Sequence, residues 1–186
     1  MNKKTSSFKR VAAIALLCLV AAITTMSCVK KHADPAIDDK IPAKVSDTTY
    51  VNDFAKMLNK SKVDSVYQQL MNDTLTAFAK TTPNKMYIVT VEDLGGVGAQ
   101  FFASQIAEKW ELGDNCIVML IKPNTKESSG QVAIAPGKAL EGTLSKSVID
   151  QIINDKVVYQ LKSTGNYNKA IFNAIHSVKE KLGAVK

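Results

Sequence analysis

Oxygen-bearing side chains at two places in the chain form the set best suited to chemistry. Asp114 and Asn115 stand directly before an apolar run, and Glu141 lies in a loop bounded by glycines, Gly137–Gly142. Carboxylate, amide and carbonyl oxygens are the ligands that a hard cation such as Ca²⁺ prefers. We therefore predict a candidate metal site made of Asp114, Asn115 and Glu141. The alternative is that Asp114 braces the loop and Glu141 is simply solvated.

Two neighbouring strands must bring these residues together. Cys116–Ile121 is a continuous apolar run, a polar turn follows it, and Gln131–Ala135 returns as the next strand. Strands joined by a short turn run antiparallel, so the start of one lies beside the end of the other. The hairpin thus predicts that Asp114 lies next to the glycine-bounded loop. Asp53 and Asp93 are expected at the opposite edge of the sheet.

The rest of the chain alternates between helical and strand periodicity. A capping pattern at Ser61–Asp64 opens a helix, and Met86–Val91 is a β-branched and aromatic run typical of a strand. A second helix ends near Gly113. Further helices are predicted over Ser145–Asn154 and Asn166–Leu182, with a segment of unassigned structure between them. The pattern favours an α/β fold, a three-layer α/β/α sandwich around a small mixed sheet.

Residues 1–27 have the pattern of a secretory signal peptide. A lysine-rich start precedes the apolar run Val11–Ile23, and a small residue precedes Cys28. The apolar run is about half of the ~20 residues that a membrane-spanning helix needs. A cysteine at this place resembles the lipobox of bacterial lipoproteins and would be the acylated first residue, although Thr25 and Met26 depart from the usual lipobox. Ordinary cleavage or a retained anchor is the alternative.

The chain after this leader divides into a linker and one domain. Residues 28–48 are polar, contain Pro35 and Pro42, and show no periodicity, so we predict a flexible linker. Some 20 residues reach at most ~65–70 Å when extended. Residues 49–183 are long enough for one ordinary domain with its own core.

Composition excludes several classes of function. The chain has 24 basic and 17 acidic residues, but four of the basic residues lie in the leader, so the mature part has a net charge near +3. The basic character thus belongs largely to the leader and gives little reason to expect nucleic-acid binding. Arg10 is the only arginine and also lies in the leader, so the mature part has no guanidinium for phosphate or carboxylate recognition. Cys116 is the one cysteine of the mature domain, and its apolar neighbours favour a buried side chain over a nucleophile. His176 is expected at the surface or an edge.

An ordered series of motifs resembles the TPM domain family over most of the mature domain. The matching segments are Tyr50–Leu58, Ile88–Val91 with Gly95 and Gly96, Ala107–Gly113, Asp114–Leu120, Gly137–Gly142 and Gly165–Tyr167. Four places depart from the family pattern. Just after the glycine loop, Ser145 or Lys146 stands where the family often has an acidic residue, which counts against the metal site. Cys116 replaces a glycine, Lys138 replaces a tyrosine, and Ala139 replaces a second glycine.

The resemblance implies a lipid-anchored, non-enzymatic domain that binds envelope membrane proteins and assists their assembly or maintenance. Some family members bind Ca²⁺, which supports the predicted metal site and a binding loop formed by Gly137, Lys138 and Gly142. A cation-binding structural module is one alternative. The other is a metal-dependent acid phosphatase in the periplasm, because a plant member is linked to that activity. Such activity would depend on a bound metal and on Lys138.

These expectations also give a location. Lipid on Cys28 would place the protein at the bacterial cell envelope, facing the periplasm. Lys30 and Lys31 follow the lipid site, where an acidic retention signal is absent, and this favours the outer membrane.

Overall fold

The computed structural model describes residues 34–183 and shows a mixed four-stranded sheet with helices around it. The strands lie in the order β1 (Val51–Asp53), β2 (Lys85–Thr90), β3 (Cys116–Lys122) and β4 (Gln131–Pro136). The first three strands are parallel, and β3 pairs with β4 in the antiparallel direction. The predicted α/β class and the β3–β4 hairpin are therefore confirmed. The predicted signal peptide and Cys28 lie outside the described residues.

The two central strands form the middle of the core. Every residue of β3 is buried, and so is every residue of β2 except Lys85. A strand that is apolar along its whole length is covered on both faces, as is usual for parallel strands. This explains why the sequence shows continuous apolar runs here and no alternation.

Within residues 34–183, five α-helices surround the sheet: α1 (Lys62–Thr81), α2 (Ala99–Lys109), α3 (Lys146–Ile152), α4 (Tyr159–Thr164) and α5 (Tyr167–Lys181). A π-helical segment, Ile153–Val158, joins α3 to α4. The helix predicted to end at Asn154 therefore continues to Thr164, because no glycine or proline interrupts it before Gly165. Gly165 then ends α4 in the left-handed conformation, with φ of 66°.

The start of α1 shows the predicted cap. The Ser61 hydroxyl accepts a hydrogen bond from the Asp64 backbone N–H at 3.2 Å and donates one to the Asp64 carboxylate at 2.8 Å. The two residues thus satisfy groups that a helix leaves without internal partners. On the body of α1, Met71, Leu75 and Phe78 are buried, whereas Val63, Val66 and Leu70 are exposed.

Strand β1 is an element that the sequence did not predict. It has three residues, Val51–Asp53, which pair in parallel with Ile88–Thr90 of β2. Three residues are too few to show alternation, and a parallel partner more than 30 residues away is not visible from local pattern. The buried Asn52 within it adds a polar residue where a strand pattern would place an apolar one.

The segment before β1 differs from the predicted flexible linker over the part that the structure describes, residues 34–48. Ile37 and Ile41 are buried in the domain core. The Lys109 ammonium donates to the carbonyl oxygens of Asp38 and Ile41, the latter at 3.1 Å. Two isoleucines four residues apart are enough to hold a short segment against a core, but they are too few to register as periodicity.

The same segment also covers aromatic side chains of the sheet. The Trp110 indole N–H donates to the carbonyl oxygen of Pro42 at 2.8 Å. The Trp110 ring lies edge-on to Tyr87 of β2, with centroids 6.2 Å apart, and Tyr87 in turn contacts Tyr50. Burial raises the pKa of the Tyr87 hydroxyl to about 12, with smaller contributions from Tyr50 and Asp47.

No helix in the described part of the chain is both long and apolar enough to cross a membrane.

Candidate functional site

The hairpin places the start of β3 beside the glycine-bounded loop, as its topology predicts. The Gly137 N–H donates to the Cys116 carbonyl oxygen at 2.7 Å, and the Ala139 N–H donates to the Asp114 carbonyl oxygen at 3.2 Å. Residues 138–140 form a single turn of 3₁₀ helix, which Leu140 anchors by its burial. Backbone hydrogen bonds, rather than side chains, therefore join the two halves of the predicted site.

Position 137 has room only for glycine, because the Asp114 backbone lies close to it. A Cβ atom at this position would lie 2.4 Å from the Asp114 carbonyl oxygen and 2.7 Å from its carbonyl carbon. Both are backbone atoms, which cannot move aside as the end of a flexible side chain can. Gly142, at the other end of the loop, has nothing within 4 Å of the position of a Cβ atom.

The polar side chains of the predicted site all reach solvent. The exposed side chains are those of Asp114, Asn115, Lys138 and Glu141. Neither the Asp114 nor the Glu141 carboxylate forms a hydrogen bond or ion pair with another described residue. Residues 34–183 contain no group of three or more His, Cys, Asp or Glu side chains placed to hold a metal ion. The set offers two carboxylates and an amide, whereas Ca²⁺ takes six to eight oxygens. Carbonyl oxygens and water would have to complete the shell, and the metal site stays a prediction.

Asp53 lies at the other end of the parallel strands, as expected, and has a structural role. Its Oδ1 accepts from the Met57 N–H at 3.0 Å and from the Thr90 hydroxyl at 2.6 Å. Its Oδ2 accepts from the Leu58 N–H at 2.8 Å. The carboxylate thus holds the turn that follows β1 against the end of β2. Sequence reasoning missed this role, because the donors are backbone N–H groups and the Thr90 hydroxyl, which residue type and spacing do not reveal.

Asp93 also lies toward this end, beside a cleft of about 780 Å³. Its carboxylate accepts from the Gly95 N–H at 3.0 Å, and this bond, with help from Lys40, holds the pKa of Asp93 below its usual value. Lys122 borders the same cleft and is only 7% exposed. Its ammonium donates to the Ser128 hydroxyl and the Ser129 carbonyl oxygen, so it fastens the β3–β4 turn. The sequence did not single out this buried lysine.

Cys116 and His176 lie where the sequence predicts, the first buried and the second at the surface. Cys116 is a free, buried thiol, and burial raises its pKa to about 11, with the Asp114 carboxylate adding to the effect. Such a thiol carries little thiolate and is a poor nucleophile. His176 is exposed and stacks edge-on against Phe172, with ring centroids 4.6 Å apart.

An open groove runs beside β4, and we refer to it as the β4 groove. Its volume is about 810 Å³. Small or apolar side chains supply most of its walls, and its charged residues are Glu141, Lys146 and Asp150. The other lining residues are 98–100 and Ser104 of the α2 region, 131–133 and 135–136 of β4, and Leu144, Ile149 and Ile153 around α3. Lys146 pairs with Asp150 at 2.5 Å. The sequence predicts the strand but not which strand lies at the sheet edge, so this groove was not foreseen.

Fold and site together define a single α/β domain with a mixed sheet, a glycine-bounded loop and an apolar groove at the antiparallel edge. A model of one protein family, described as the TPM domain, matches residues 51–181. That range covers most of the chain, and the protein belongs to the TPM domain family. The resemblance inferred from the sequence motifs is thereby confirmed.

Two solved structures have a similar fold. The N-terminal domain of a protein from P. gingivalis superposes with a TM-score of 0.65 at 22% identity, covering 82% of this chain and 93% of that one. The N-terminal domain of a protein from Corynebacterium glutamicum gives a TM-score of 0.55 at 12% identity, covering 77% of this chain and 84% of that one. At these identities the likeness concerns the fold alone. A search of curated protein sequences finds no match.

Proposed function

We propose that this protein is a lipid-anchored envelope protein whose TPM domain binds other envelope proteins as an accessory module for their assembly or maintenance. The observation that supports this function is the β4 groove, which is open, largely apolar and about 810 Å³ in volume. Apolar grooves and exposed sheet edges are surfaces on which proteins receive a helix or an extended segment of a partner, and this groove lies along the edge strand β4. The anchor would be the lipid on Cys28, and the site of action the periplasmic side of the outer membrane.

Photo-crosslinking in intact envelopes tests this function. Gln100 lines the β4 groove, and Gln151 is an exposed glutamine on α3 that does not line it. Replacing each in turn with a photoreactive residue gives a matched pair of probes. We expect discrete crosslinked envelope proteins from position 100 and at least tenfold less product from position 151. Equal products from both positions, or none from either, would contradict a partner in this groove.

We also propose that the exposed carboxylates of Asp114 and Glu141 take part in weak Ca²⁺ binding. Their shared edge of the sheet and their freedom from other partners support it. Calorimetric titration of Ca²⁺ should show binding that Asp114→Ala abolishes, with Asp39→Ala as a control for an exposed aspartate elsewhere. No heat in the wild-type protein would remove the metal proposal.

The phosphatase alternative shares the metal site and can be tested with the same proteins. Hydrolysis of a phosphomonoester in the presence of Ca²⁺, Mg²⁺ or Mn²⁺, lost in both Asp114→Ala and Lys138→Ala, would support an enzyme. Activity that is unchanged in both variants would point to a contaminant. The binding function predicts no hydrolysis above the buffer rate.

A further inference from the structure

Helix α1 carries an apolar strip on its solvent side that the domain core does not use. Val63, Val66 and Leu70 are 64%, 67% and 44% exposed. They lie three, four and seven residues apart, so they share one face of the helix. The buried residues Met71, Leu75 and Phe78 occupy a different face and already fix α1 to the domain. The strip therefore contributes nothing visible to the fold of one copy.

A shallow groove beside this strip offers a receiving surface. It lies between α1 and α5 and has a volume of about 520 Å³. Its walls are mainly apolar and are formed by Val66, Tyr67 and Leu70 from α1 with Lys169, Phe172 and Asn173 from α5. A side chain projecting from a second helix laid along α1 would fit such a groove, as knobs fit holes in helix pairs.

Charges on the rim of the strip select the orientation of that second helix. Lys62 lies at the beginning of α1 and Asp73 lies eleven residues further on, which is about 16 Å along the helix. Both are exposed, and among residues 34–183 neither forms an ion pair; Asp73 only accepts from Gln69 at 2.9 Å. An antiparallel copy of the same helix, related by a two-fold axis near Tyr67, would set Lys62 against Asp73 at both ends.

From this complementarity we propose that α1 is a self-association surface, on which two copies of this chain pair through antiparallel α1 helices. Val66 and Leu70 lie nearest the two-fold axis, and the Lys62–Asp73 pairs lie at the two ends. A two-fold axis makes the same patch serve both copies, which is the commonest arrangement in homodimers. The strip has three residues, far fewer than the roughly 20–30 residues per partner of a standard interface. The dimer is therefore weak, and its formation in the envelope rests on the proposed lipid anchor, which would concentrate copies on one membrane.

Disulfide crosslinking in intact envelopes tests the surface with the full chain. Val66→Cys places a thiol near the two-fold axis, where its twin from the second copy lies close. Val45→Cys is the matched control, since Val45 is equally exposed, at 62%, but lies outside α1. Under mild oxidation we expect a product of twice the protein mass from Val66→Cys and at least tenfold less from Val45→Cys. Equal yields, or a product of Val66→Cys with a different protein, would overturn the proposal.

Charge reversal tests the orientation. In the Val66→Cys background, Lys62→Glu and Asp73→Lys should each lower the dimer yield severalfold, because each sets like charges against one another. The two reversals combined should restore it. A combined variant that stays as low as the single ones would overturn the antiparallel arrangement. Crosslinking from position 100 in the β4 groove reports separately on the proposed binding function, so the two proposals can fail independently.

Discussion

Asp53 and Asp114 are two aspartates beside parallel strands, at opposite ends of the sheet, and their carboxylates have different surroundings. Asp53 closes β1, and its two oxygens accept three hydrogen bonds from the turn that follows and from Thr90. Asp114 precedes β3, and only its backbone carbonyl oxygen takes part in the loop contact, while its carboxylate faces solvent. The Asp53 carboxylate forms its hydrogen bonds within the fold, whereas the Asp114 carboxylate can contact a ligand. The residue type is the same, but Asp53 is the last residue of β1 and Asp114 lies two residues before β3. The two carboxylates therefore lie at opposite ends of the parallel strands and meet different partners.

The largest expected effect is on the Asp53 side. Asp53→Ala leaves the Met57 and Leu58 N–H groups and the Thr90 hydroxyl without an acceptor, which should lower the free energy of unfolding by roughly 2–4 kcal/mol. Urea denaturation followed by circular dichroism measures this. Asp53→Asn keeps one acceptor oxygen and should lose about half as much. A loss below about 1 kcal/mol for Asp53→Ala would show that the carboxylate is not what holds this turn.

The next effect tests the backbone contact on the Asp114 side. Gly137→Ala forces a Cβ atom against the Asp114 carbonyl group and should destabilise the fold by roughly 1–3 kcal/mol, as overpacking does. Gly142→Ala is the matched control in the same loop and should change stability by less than about 0.5 kcal/mol. Thermal melts of the two variants give the comparison. Equal melting temperatures would mean that the loop can move away from Asp114.

A third prediction concerns the Cys116 thiol, two residues after Asp114, whose ionisation makes the stability of the fold depend on pH and whose burial limits its reactivity. Its pKa is raised to about 11 in the folded protein from an ordinary value near 9.0. The folded state therefore favours the neutral thiol, and this contribution to stability is present below pH 9 and is lost as pH rises toward 11. Alkylation at pH 8 should be far slower in the native protein than in urea, with Cys116→Ala identifying the signal. Native and unfolded rates within a factor of about three would contradict a buried thiol.

The smallest expected effect is on Asp114 itself. Asp114→Ala removes an exposed carboxylate without hydrogen-bond partners, so the free energy of unfolding should change by less than about 0.5 kcal/mol. Urea denaturation of this variant beside Asp53→Ala gives the direct contrast. A loss above about 1.5 kcal/mol would make Asp114 a structural residue like Asp53 and would weaken its assignment to a ligand site.

Much of the fold could be predicted because its signals are local. The continuous apolar run of β3, the capping pair at Ser61 and the glycine loop after β4 each lie within ten residues of chain. The hairpin then fixes which ends meet, and this is why the neighbourhood of Asp114 and Gly137 was predicted correctly. The family followed from the order of those local motifs.

The features that were missed depend on distant partners. Strand β1 is defined by its pairing with β2. The Asp53 carboxylate accepts a hydrogen bond from the Thr90 hydroxyl, 37 residues further along the chain. The β4 groove needs α2 and α3 to flank the same strand. The apolar residues at the start of α1 illustrate the same limit. Helical spacing showed that Val63, Val66 and Leu70 share a face, but only the position of the sheet shows that this face is turned to solvent.

The docking of residues 34–48 changes how far the domain can stand from a membrane. A chain free from residue 28 to residue 48 would allow a standoff of ~65–70 Å, whereas the Asp34 N–H is already bonded to Gln105 of α2. With the proposed lipid on Cys28, six peptide steps remain before Asp34, at most about 22 Å. The tether between that lipid and the domain would then be about a third of the length that a fully free linker allows. The partners within its reach would be limited to surfaces close to the membrane.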